Sequence, residues 1–513
     1  MSEFFAGFGL LLAAVAACGT ILLPPGRLRA PAMLVALILF PALILGDQWH
    51  SQQIVDLRDS LGRLIGLGML AVGTSAALAY VFRRWPVLLP LAIVAALPFR
   101  VPLEAGGDTA NLLVPLYLVI SGGVLTALLP GGGVVGGTAP EEALATGRGG
   151  GSPAATGPAG PTAWLPRLLA GFVLLYALQA LYSPDFSKGL QNVCFFFVPF
   201  SLVYGLLRDV TWDRRLLTLV LWVVAIEAVA FVFVGTVEYL SRELFWNDQV
   251  IRSNEFHTYF RVNSVFWDPN IYGRYLALVA VIAMSALLWA QERRTFALLT
   301  ALVAAVWFGL LFSFSQSSFA ALLGGLAVLA ALKWSWRWTL AAVGACAIAG
   351  VLVVLMAGGV SKLSPDRLNV DTGGRANLVS GGLHLFGQRP VYGYGSGGFP
   401  KAYREHIDTD KAPVSVSHTE PITIAAEQGL LGLLLYAALI AVALWTMAAG
   451  LLRHLSVARA AVLAAFAALV VHSMAYAGFF EDPIAWVLLA VGVSLAAANQ
   501  PRVVASCRDT SAA

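Results

Sequence analysis

The sequence has little charge, and this shortage excludes most classes of soluble protein. Only 12% of its 513 residues are charged, whereas 59% are hydrophobic. Soluble domains carry about 25% charged residues. Instead, apolar runs of about 20 residues, the length that crosses roughly 30 Å of hydrocarbon, recur along the chain. The composition therefore predicts an integral protein of a lipid bilayer.

Cysteine is also scarce, and its spacing excludes the usual cysteine-based sites. Cys18, Cys194 and Cys346 lie in apolar runs, and Cys507 lies in the C-terminal tail. No pair has the spacing of a metal site or a disulfide framework, so we interpret all four as small packing residues. No basic segment precedes the first apolar run. We therefore expect a first spanning helix there and not a cleaved signal peptide.

We predict an all-α polytopic membrane fold with fourteen or fifteen spanning helices. The candidate spans fall at roughly 4–23, 31–46, 61–82, 86–99, 110–129, 164–182, 190–208, 214–239, 270–290, 295–312, 316–332, 338–357, 421–449, 458–478 and 483–499. The run at 86–99 is short for a span. The polar stretch FSFSQSS interrupts the pair around 295–332, which leaves a re-entrant segment as an alternative.

Charge alternates between successive loops. One set of loops is basic, with Arg27 and Arg29, Arg83 and Arg84, Arg208, Arg214 and Arg215, Arg293 and Arg294, Lys333 and Arg337, and Arg453 and Arg459. The other set is acidic or mixed, as at Asp185, Glu481 and Asp482. Short loops rich in Lys and Arg stay in the cytoplasm. The pattern therefore predicts that the N-terminus lies outside and the C-terminal tail inside.

Long connections divide the chain. The stretch 130–163 is rich in Gly, Pro and Ala and cannot bury a core, so we predict a disordered cytoplasmic linker there. The longest polar stretch, 358–420, falls on the outer face. The resulting units are N-terminal helices at 1–129, the linker at 130–163, central helices at 164–357 with an outer loop at 240–269, the large extracytoplasmic loop at 358–420, C-terminal helices at 421–500 and a cytoplasmic tail at 501–513.

The large outer loop holds most of the residues that suit chemistry. Arg375 follows Gly373 and Gly374, a pair that suggests a turn opening a helix. A guanidinium beside helix N-terminal amides suits an anion such as a diphosphate, although a solvated arginine has the same pattern. The stretch Gly393–Gly398, which includes Tyr394, is either a nest of backbone amides for an anion or a turn that returns the chain to the membrane.

His418 lies at the start of the next spanning helix. Pro421 is a good first helical residue, and Thr419 or Glu420 could cap the helix. The positive field of a helix start favours the neutral imidazole that a general base needs. A surface histidine at the membrane interface is the alternative. Glu427 lies seven residues past Glu420, on the same helix face and about 10 Å deeper in the membrane. It is either functional or hydrogen-bonded to a neighbouring helix.

The smaller outer loop ends in a second cationic group. Arg261 precedes the turn Asp268–Asn270 that starts a span, and Arg274 lies about one turn into that helix. Two arginines around a helix start on the outer face suit a lipid diphosphate. The alternative is that they snorkel to lipid phosphates at the interface, and Arg274 is more open to this alternative than Arg261.

The segment around His418 resembles the signature of the O-antigen ligase/polymerase family. That signature has a His and a small polar residue, then nine residues and Gly-x-x-Gly; here it is matched by His418, Thr419, the residues from Glu420 to Gln428, Gly429 and Gly432. The spacing of the two glycines also favours close packing of helices. The segments RANLVSGGLHLFGQRPVYGYGSGGF and RVNSVFWDPN look like the family's arginine segments, in the family's order. The resemblance covers about 255–440.

Two positions depart from the family's pattern. Thr419 stands where the family more often has Asn, Ser or Gln. Gln316 takes the place of an arginine in the family's Ser-Arg-Gly, so either that arginine is dispensable or Arg274 supplies the charge. The possible supporting residues are Asn270, Gln316, Glu420, Glu427 and Tyr394.

The resemblance implies a GT-C-like glycosyltransferase of the bacterial inner membrane. It would move a glycan from an undecaprenyl-diphosphate carrier to a sugar hydroxyl, with inversion and without a metal ion or other cofactor. His418 would be the general base, while Arg261, Arg375 and Arg274 would bind the diphosphate in place of a metal. The implied partners are this donor, a glycan or glycolipid acceptor and the bilayer, with no nucleic acid. The active site would lie on the extracytoplasmic face.

Two other functions remain open. A metal-dependent lipid-linked glycosyltransferase would use Asp56 and Asp59. A solvated helix face explains this pair better. A response of the activity to EDTA separates this alternative from the metal-independent one. A transporter or flippase of lipid-linked sugars would show internal repeats and broken helices near the midplane. The sequence has no repeat of fixed period, and its polar residues concentrate in the predicted outer loops.

The linker interpretation predicts the effect of a deletion. Removing most of 131–160 leaves the transfer activity unchanged, because a stretch without a core contributes no packing to the helices on either side. Activity of the purified deletion variant, beside the full chain at equal protein concentration, checks this. A loss of activity would show that the stretch has a functional or packing role.

Overall fold

The protein is almost entirely helical in the computed structural model, which describes residues 3–26, 28–51, 54–55, 61–105, 108–129, 161–256, 259–356, 374–407 and 416–498. The helices are α1 Glu3–Leu22, α2 Arg29–Asp47, α3 Leu61–Arg84, α4 Leu88–Ala96, α5 Val114–Leu128, α6 Pro161–Ala180, α7 Phe186–Asn192, α8 Val198–Leu207, α9 Arg214–Ser241, α10 Asp248–Phe256, α11 Pro269–Leu288, α12 Arg293–Ser313, α13 Gln316–Ala330, α14 Trp336–Met356, α15 Arg375–Gln388, α16 Phe399–His406, α17 Glu420–Ala448, α18 Val457–Ser473 and α19 Pro483–Ala498. Two π-helical turns, Val193–Phe197 and Ala331–Ser335, join α7 to α8 and α13 to α14.

The predicted polytopic membrane architecture is confirmed. Within the described ranges, 10 helical runs are long and apolar enough to cross a membrane, and three shorter apolar helices, α5, α18 and α19, accompany them. This number is lower than the fourteen or fifteen predicted. One reason is that the run at 86–99 forms only the nine-residue helix α4, which is too short to span. Another is that the candidate spans at 316–332 and 338–357 form one continuous helical run.

One small element departs from the all-α expectation. Strands β1 Val101–Ala105 and β2 Asp108–Leu112 pair antiparallel, with Val101 opposite Leu112. In the sequence, Gly106 and Gly107 stand between the two strands, and Gly-Gly is favoured in two-residue hairpin loops. The Gly-Gly dipeptide is therefore the sequence feature that could have predicted this pair of strands.

Several predicted segments fall wholly or partly outside the described residues. These are the linker up to residue 160, the tail 501–513, the pair Asp56 and Asp59, and residues 358–373 and 408–415 of the large loop. The last residues assigned to the linker belong to helix α6, which begins at Pro161. The remainder of the large loop carries two helices, α15 and α16.

Helix α11 is the centre of the part of the bundle that carries the site. Most of its side chains are buried, and it packs against α12, α13 and α18. Close packing requires small residues: a Cβ on Gly325 of α13 would lie 2.5 Å from a methyl carbon of Val281 and 3.2 Å from the carbonyl oxygen of Ala464. These contacts fix α11, α13 and α18 relative to one another. As a result, the first residues of α11 and α13 meet the last turn of α18.

Helix α17 is broken at Gly429, where φ is 64° and ψ is −161°. A Cβ at this position would lie 2.4 Å from the carbonyl oxygen of Val391. The next amide, that of Leu430, donates to the carbonyl oxygen of Pro390 at 2.7 Å. The predicted role of Gly429 in packing one helix against another is therefore wrong. This glycine instead lets the segment 390–395 enter beside the helix backbone.

The break predicts a stability effect. Gly429→Ala destabilises the protein by at least about 1–3 kcal/mol, because this backbone conformation is essentially restricted to glycine and the new methyl group meets Val391. Gly387→Ala in α15 is the matched control, since a Cβ there has nothing within 4 Å and alanine favours a helix. Thermal unfolding in one detergent, followed for both variants, measures the difference. Equal unfolding temperatures would contradict the prediction.

Candidate functional site

The starts of two spanning helices meet at one end of the bundle. Asp268 caps α11, with its Oδ1 accepting a hydrogen bond from the Asn270 amide at 2.6 Å. Ser315 caps α13 and accepts from the Ser318 amide at 3.4 Å. The two starts are tied together because Ser315 Oγ donates to Asn270 Oδ1 at 2.8 Å. Helix starts carry partial positive charge, so this end of the bundle attracts anions.

Arg261 is held at this junction by four hydrogen bonds, one of which its carbonyl oxygen accepts from Asn254 Nδ2 at 3.0 Å. Its Nε donates to the carbonyl oxygen of Ser313 at 3.1 Å, and its Nη2 donates to Asn270 Oδ1 at 3.2 Å. Its backbone amide donates to Asn254 Oδ1 at 3.0 Å. Among the described residues, Nη1 has no partner. Burial lowers the pKa of Arg261, while the nearby Asp268 raises it, and the guanidinium remains charged.

The structure brings Arg375 and His418 into the same electrostatic neighbourhood as Arg261. Arg375 opens α15 after Gly374, whose φ is 88°, as the glycine pair predicted. The charge of Arg375 acts both on the His418 ring and on Arg261. In the part of the chain that the structure describes, Arg375 has no ion-pair partner. It is therefore a cation available to a bound anion.

The surroundings of the His418 ring disfavour its protonated form. Burial lowers the pKa of His418 below its ordinary value, and Arg375 lowers it further, while Asp268 opposes the shift. Burial and Arg375 thus favour the neutral imidazole, in addition to the field of the helix start from which it was predicted. The ring lies beside Tyr476, with 6.4 Å between the ring centroids.

The backbone around His418 is strained and held in place. Its φ is 61°, in the left-handed region, which costs energy for residues other than glycine. Fully buried Ser417 stabilises the turn: its Oγ accepts from the Thr419 amide at 3.2 Å and donates to the Thr419 carbonyl oxygen at 2.8 Å. Thr419 occupies the N-cap position but makes no side-chain cap bond. The cap expected from Thr419 or Glu420 is therefore absent, and the Ser417 turn holds the helix start.

Tyr476 and His472 are polar neighbours of the site that the sequence pattern did not assign to it. Tyr476 donates from its hydroxyl to Asp268 Oδ2 at 3.2 Å. Burial, aided by Asp268, raises the pKa of Tyr476, so the phenol stays neutral. His472, which is 0% exposed, is within 3.2 Å of Ser317 Oγ through its Nε2. His472 lies in the last turn of the apolar helix α18, and Tyr476 lies just past its end. The sequence signal that could have indicated them was a polar side chain within an apolar run.

Arg274 has a partner of its own. Its Nη2 lies 2.7 Å from Asp482 Oδ2, and the two side chains are 5% and 2% exposed. The alternative in which Arg274 snorkels to lipid phosphates is wrong, because the guanidinium is buried and paired. Its charge is compensated, unlike that of Arg375. Gln316 is exposed on the first turn of α13 and brings no charge to the site.

Glu427 shows how the predicted amide nest is used. Its carboxylate accepts hydrogen bonds from the amides of Gly397 at 2.9 Å and Phe399 at 3.0 Å. The glycine-rich turn therefore binds an anion, but the anion is the protein's own side chain. Tyr394 donates to Gln388 Oε1 at 2.5 Å and packs under Arg389. Among the described residues, none of these contacts involves His418 or Arg261.

Glu420 has a similar anchoring contact. Its Oε2 accepts from the amides of Gly478 at 2.6 Å and Phe479 at 3.2 Å. These two bonds fix the segment that carries Tyr476 against the start of α17. Of the supporting residues predicted from the sequence, Asn270 contacts Arg261 directly, whereas Glu420 holds a neighbouring loop.

The arrangement combines two kinds of chemistry. Two guanidiniums and two helix starts can hold an anionic group, and a neutral imidazole beside them can accept a proton. The arginines come from segments far apart in sequence, so the fold alone brings them together.

Residues 301–437 match the family model described as O-Antigen ligase. The matched segment contains Arg375 and His418, but not Arg261. No curated protein matches the chain. The match to the family model confirms the predicted resemblance to the O-antigen ligase/polymerase family.

Proposed function

From the O-antigen ligase match over residues 301–437, we propose that the protein is a glycosyltransferase that moves a glycan from an undecaprenyl-diphosphate carrier to a sugar hydroxyl. The observation that carries the proposal is the shared electrostatic neighbourhood of Arg261, Arg375 and His418. The first two suit the leaving group, and the third suits the attacking hydroxyl.

The reaction is a single displacement at the anomeric carbon. His418 takes the proton of the acceptor hydroxyl as its oxygen bonds to that carbon. The bond from the carbon to the diphosphate oxygen breaks, and the diphosphate leaves with the electron pair. Attack from the side opposite the leaving group inverts the configuration of the sugar. The imidazolium then releases its proton to solvent.

The leaving diphosphate is stabilised by fixed positive charge. Arg261 is already held by Asn270 and the Ser313 carbonyl oxygen, so little reorganisation is needed when charge develops on the leaving oxygen. Arg375 and the starts of α11 and α13 add to the same field. These groups take the role that a divalent cation has in other transferases. We therefore propose a metal-independent reaction, which predicts full activity in EDTA.

The orientation of α11 supports an extracytoplasmic site. This helix begins just after its cap Asp268, in the site, and ends shortly before Arg293 and Arg294. Basic loops stay in the cytoplasm, so the opposite end of α11 faces outward. We place the protein in the bacterial inner membrane with its donor site at the outer leaflet. This is where a lipid carrier presents a glycan for surface assembly.

Replacing the base tests the proposed role of His418. His418→Asn lowers the transfer rate by about 100- to 10,000-fold, the contribution of a positioned general base. Asparagine tolerates the left-handed backbone, so folding and donor binding persist. The assay uses a defined undecaprenyl-diphosphate oligosaccharide, with and without candidate acceptors, and determines product length. Product length also distinguishes polymerisation from ligation, and full activity of the variant would refute the base role.

Removing the cations gives a separate readout. Arg261→Ala and Arg375→Gln each weaken donor binding and lower the rate by about 100- to 1,000-fold. Because Arg375 lowers the pKa of His418, Arg375→Gln raises that pKa. The base must be unprotonated, so the pH at which the rate falls on acidification moves upward. Exposed Arg404 in α16 is the matched control. Arg404→Gln leaves donor binding and the pH dependence of the rate unchanged. An unshifted pH profile in Arg375→Gln would contradict the assignment.

A further inference from the structure

Two aromatic rings stack beside Arg261, at the end of α12 that meets the site. The rings of Tyr259 and Phe314 have 4.9 Å between their centroids and 27° between their planes. Tyr259 precedes Arg261 by two residues, and Phe314 directly follows Ser313, whose carbonyl oxygen accepts from the Arg261 guanidinium. The cation and the ring pair therefore share one junction.

A second layer of aromatic side chains holds this junction together. Phe260 and Phe312 both pack against Tyr239 of α9, with ring centroids 6.5 Å and 4.1 Å from that of Tyr239. The amide of Val262 donates to the carbonyl oxygen of Phe312 at 3.2 Å. These contacts join the loop before α11 to the end of α12, so the stacked rings have a fixed position relative to Arg261.

Phe314 combines a strained backbone with an exposed ring. It ends α12 with a φ of 47°, in the left-handed region, where a helix more often has Gly or Asn. This conformation is costly for a bulky residue, and such strain is typical of functional sites. Its neighbours Ser313 and Ser315 are buried, whereas Phe314 is 42% exposed and Tyr259 is 41% exposed. The backbone alone does not favour phenylalanine here, so the exposed ring indicates a ligand.

The ring pair lies at the membrane surface. Helix α12 has 21 residues and is about 30 Å long, so it crosses the hydrocarbon layer by itself. Phe314 follows its last residue, at the end opposite to the basic residues Arg293 and Arg294. Aromatic anchors to lipid head groups occupy the same level. The junction with Arg261, however, places this pair beside the cation proposed to hold the diphosphate.

An exposed aromatic pair at this place suits a sugar. The face of an aromatic ring carries partial negative charge, and the hydrogens of the C–H bonds of a pyranose carry partial positive charge. A pyranose with one face of C–H bonds therefore stacks on such a ring. In the proposed donor, the first sugar is bonded directly to the diphosphate. It is the part of the glycan closest to Arg261, and hence to the ring pair.

We propose that Tyr259 and Phe314 form a stacking platform for the first sugar of the donor glycan. The inference rests on the proposed function. The ligand class is a pyranose with an uninterrupted face of C–H bonds, as in glucose. The platform stabilises a bound carrier that bears a sugar and makes no contribution to the binding of the bare carrier. The two residues thereby help to determine which sugars the donor site accepts.

The test compares two lipids that differ only in the sugar. The full-length protein in lipid nanodiscs is titrated with undecaprenyl diphosphate and, separately, with undecaprenyl-diphosphate glucose. Phe314→Leu and Tyr259→Leu each weaken binding of the glucose-bearing lipid by about 3- to 10-fold, the contribution of one aromatic contact. They leave binding of the bare lipid unchanged. The ratio of the two affinities is insensitive to a general loss of folded protein.

Two further variants separate the ring of Phe314 from its backbone. Phe314→Tyr keeps a ring and retains the affinity ratio of the unmodified protein. Phe314→Gly relieves the left-handed strain, so it unfolds at no lower a temperature than Phe314→Leu, yet it loses the preference for the glucose-bearing lipid. If Phe314→Gly keeps the ratio of the unmodified protein, the ring does not bind the sugar and the proposal fails.

A second aromatic pair supplies the matched control. Tyr392 is 53% exposed, and its ring meets that of Tyr182 edge-on at 6.2 Å. Tyr392→Leu leaves the affinity ratio unchanged; if it alters the ratio as Phe314→Leu does, the effect is not specific and the proposal is overturned. Equal weakening of both lipids by Phe314→Leu would mean that the ring contacts the polyprenyl chain or the diphosphate, which also overturns it.

The inference and the proposed function fail in different ways. If Arg261→Ala weakens the binding of both lipids while Phe314→Leu binds both as the unmodified protein does, the platform is refuted and the proposed function stands. If the unmodified protein binds neither lipid, the proposed function itself fails and the inference falls with it.

Discussion

The side-chain oxygen of Asn270 is the contact on which the rest of the site depends. It accepts hydrogen bonds from both Arg261 and Ser315, and so joins a cationic loop to the starts of α11 and α13. Without this oxygen, the guanidinium would lose one of its two hydrogen-bond acceptors, and the two helix starts would lose one of the hydrogen bonds between them. The positive field of the site is therefore built from fixed parts, in the manner of a preorganised transition-state stabiliser.

Much of the architecture followed from the sequence because its causes are local. Low charge and long apolar runs predict spanning helices, and the motif at His418 and Arg375 predicts where a base and a cation lie. The contacts between side chains that are far apart in the sequence could not be predicted in this way. Tyr476 and Asp268 are 208 positions apart, and periodicity within one helix carries no information about such a contact. Likewise, Arg274 has the pattern of an interfacial arginine, and only the fold places it against Asp482.

The glycine-rich loop shows a related limit of sequence reasoning. A run such as Gly393–Gly398 predicts accessible amides, and the structure does use the amides to bind an anion. It is Glu427, more than 25 residues further along the chain, that occupies them. The same loop fits beside α17 only because that helix breaks at Gly429. Loop and helix are thus mutually dependent, and the break falls at Gly429, the first glycine of this chain's Gly-x-x-Gly sequence.

The permanent charge of the arginines has a consequence for turnover. A guanidinium stays protonated at physiological pH, so the field at Arg261 and Arg375 is the same before and after the glycan departs. The spent carrier leaves the reaction with more negative charge than the donor had. On the proposed function, it is therefore held at least as firmly as the substrate. Escape of the exhausted lipid into the bilayer then becomes the slow step of the cycle, as product release is in many enzymes.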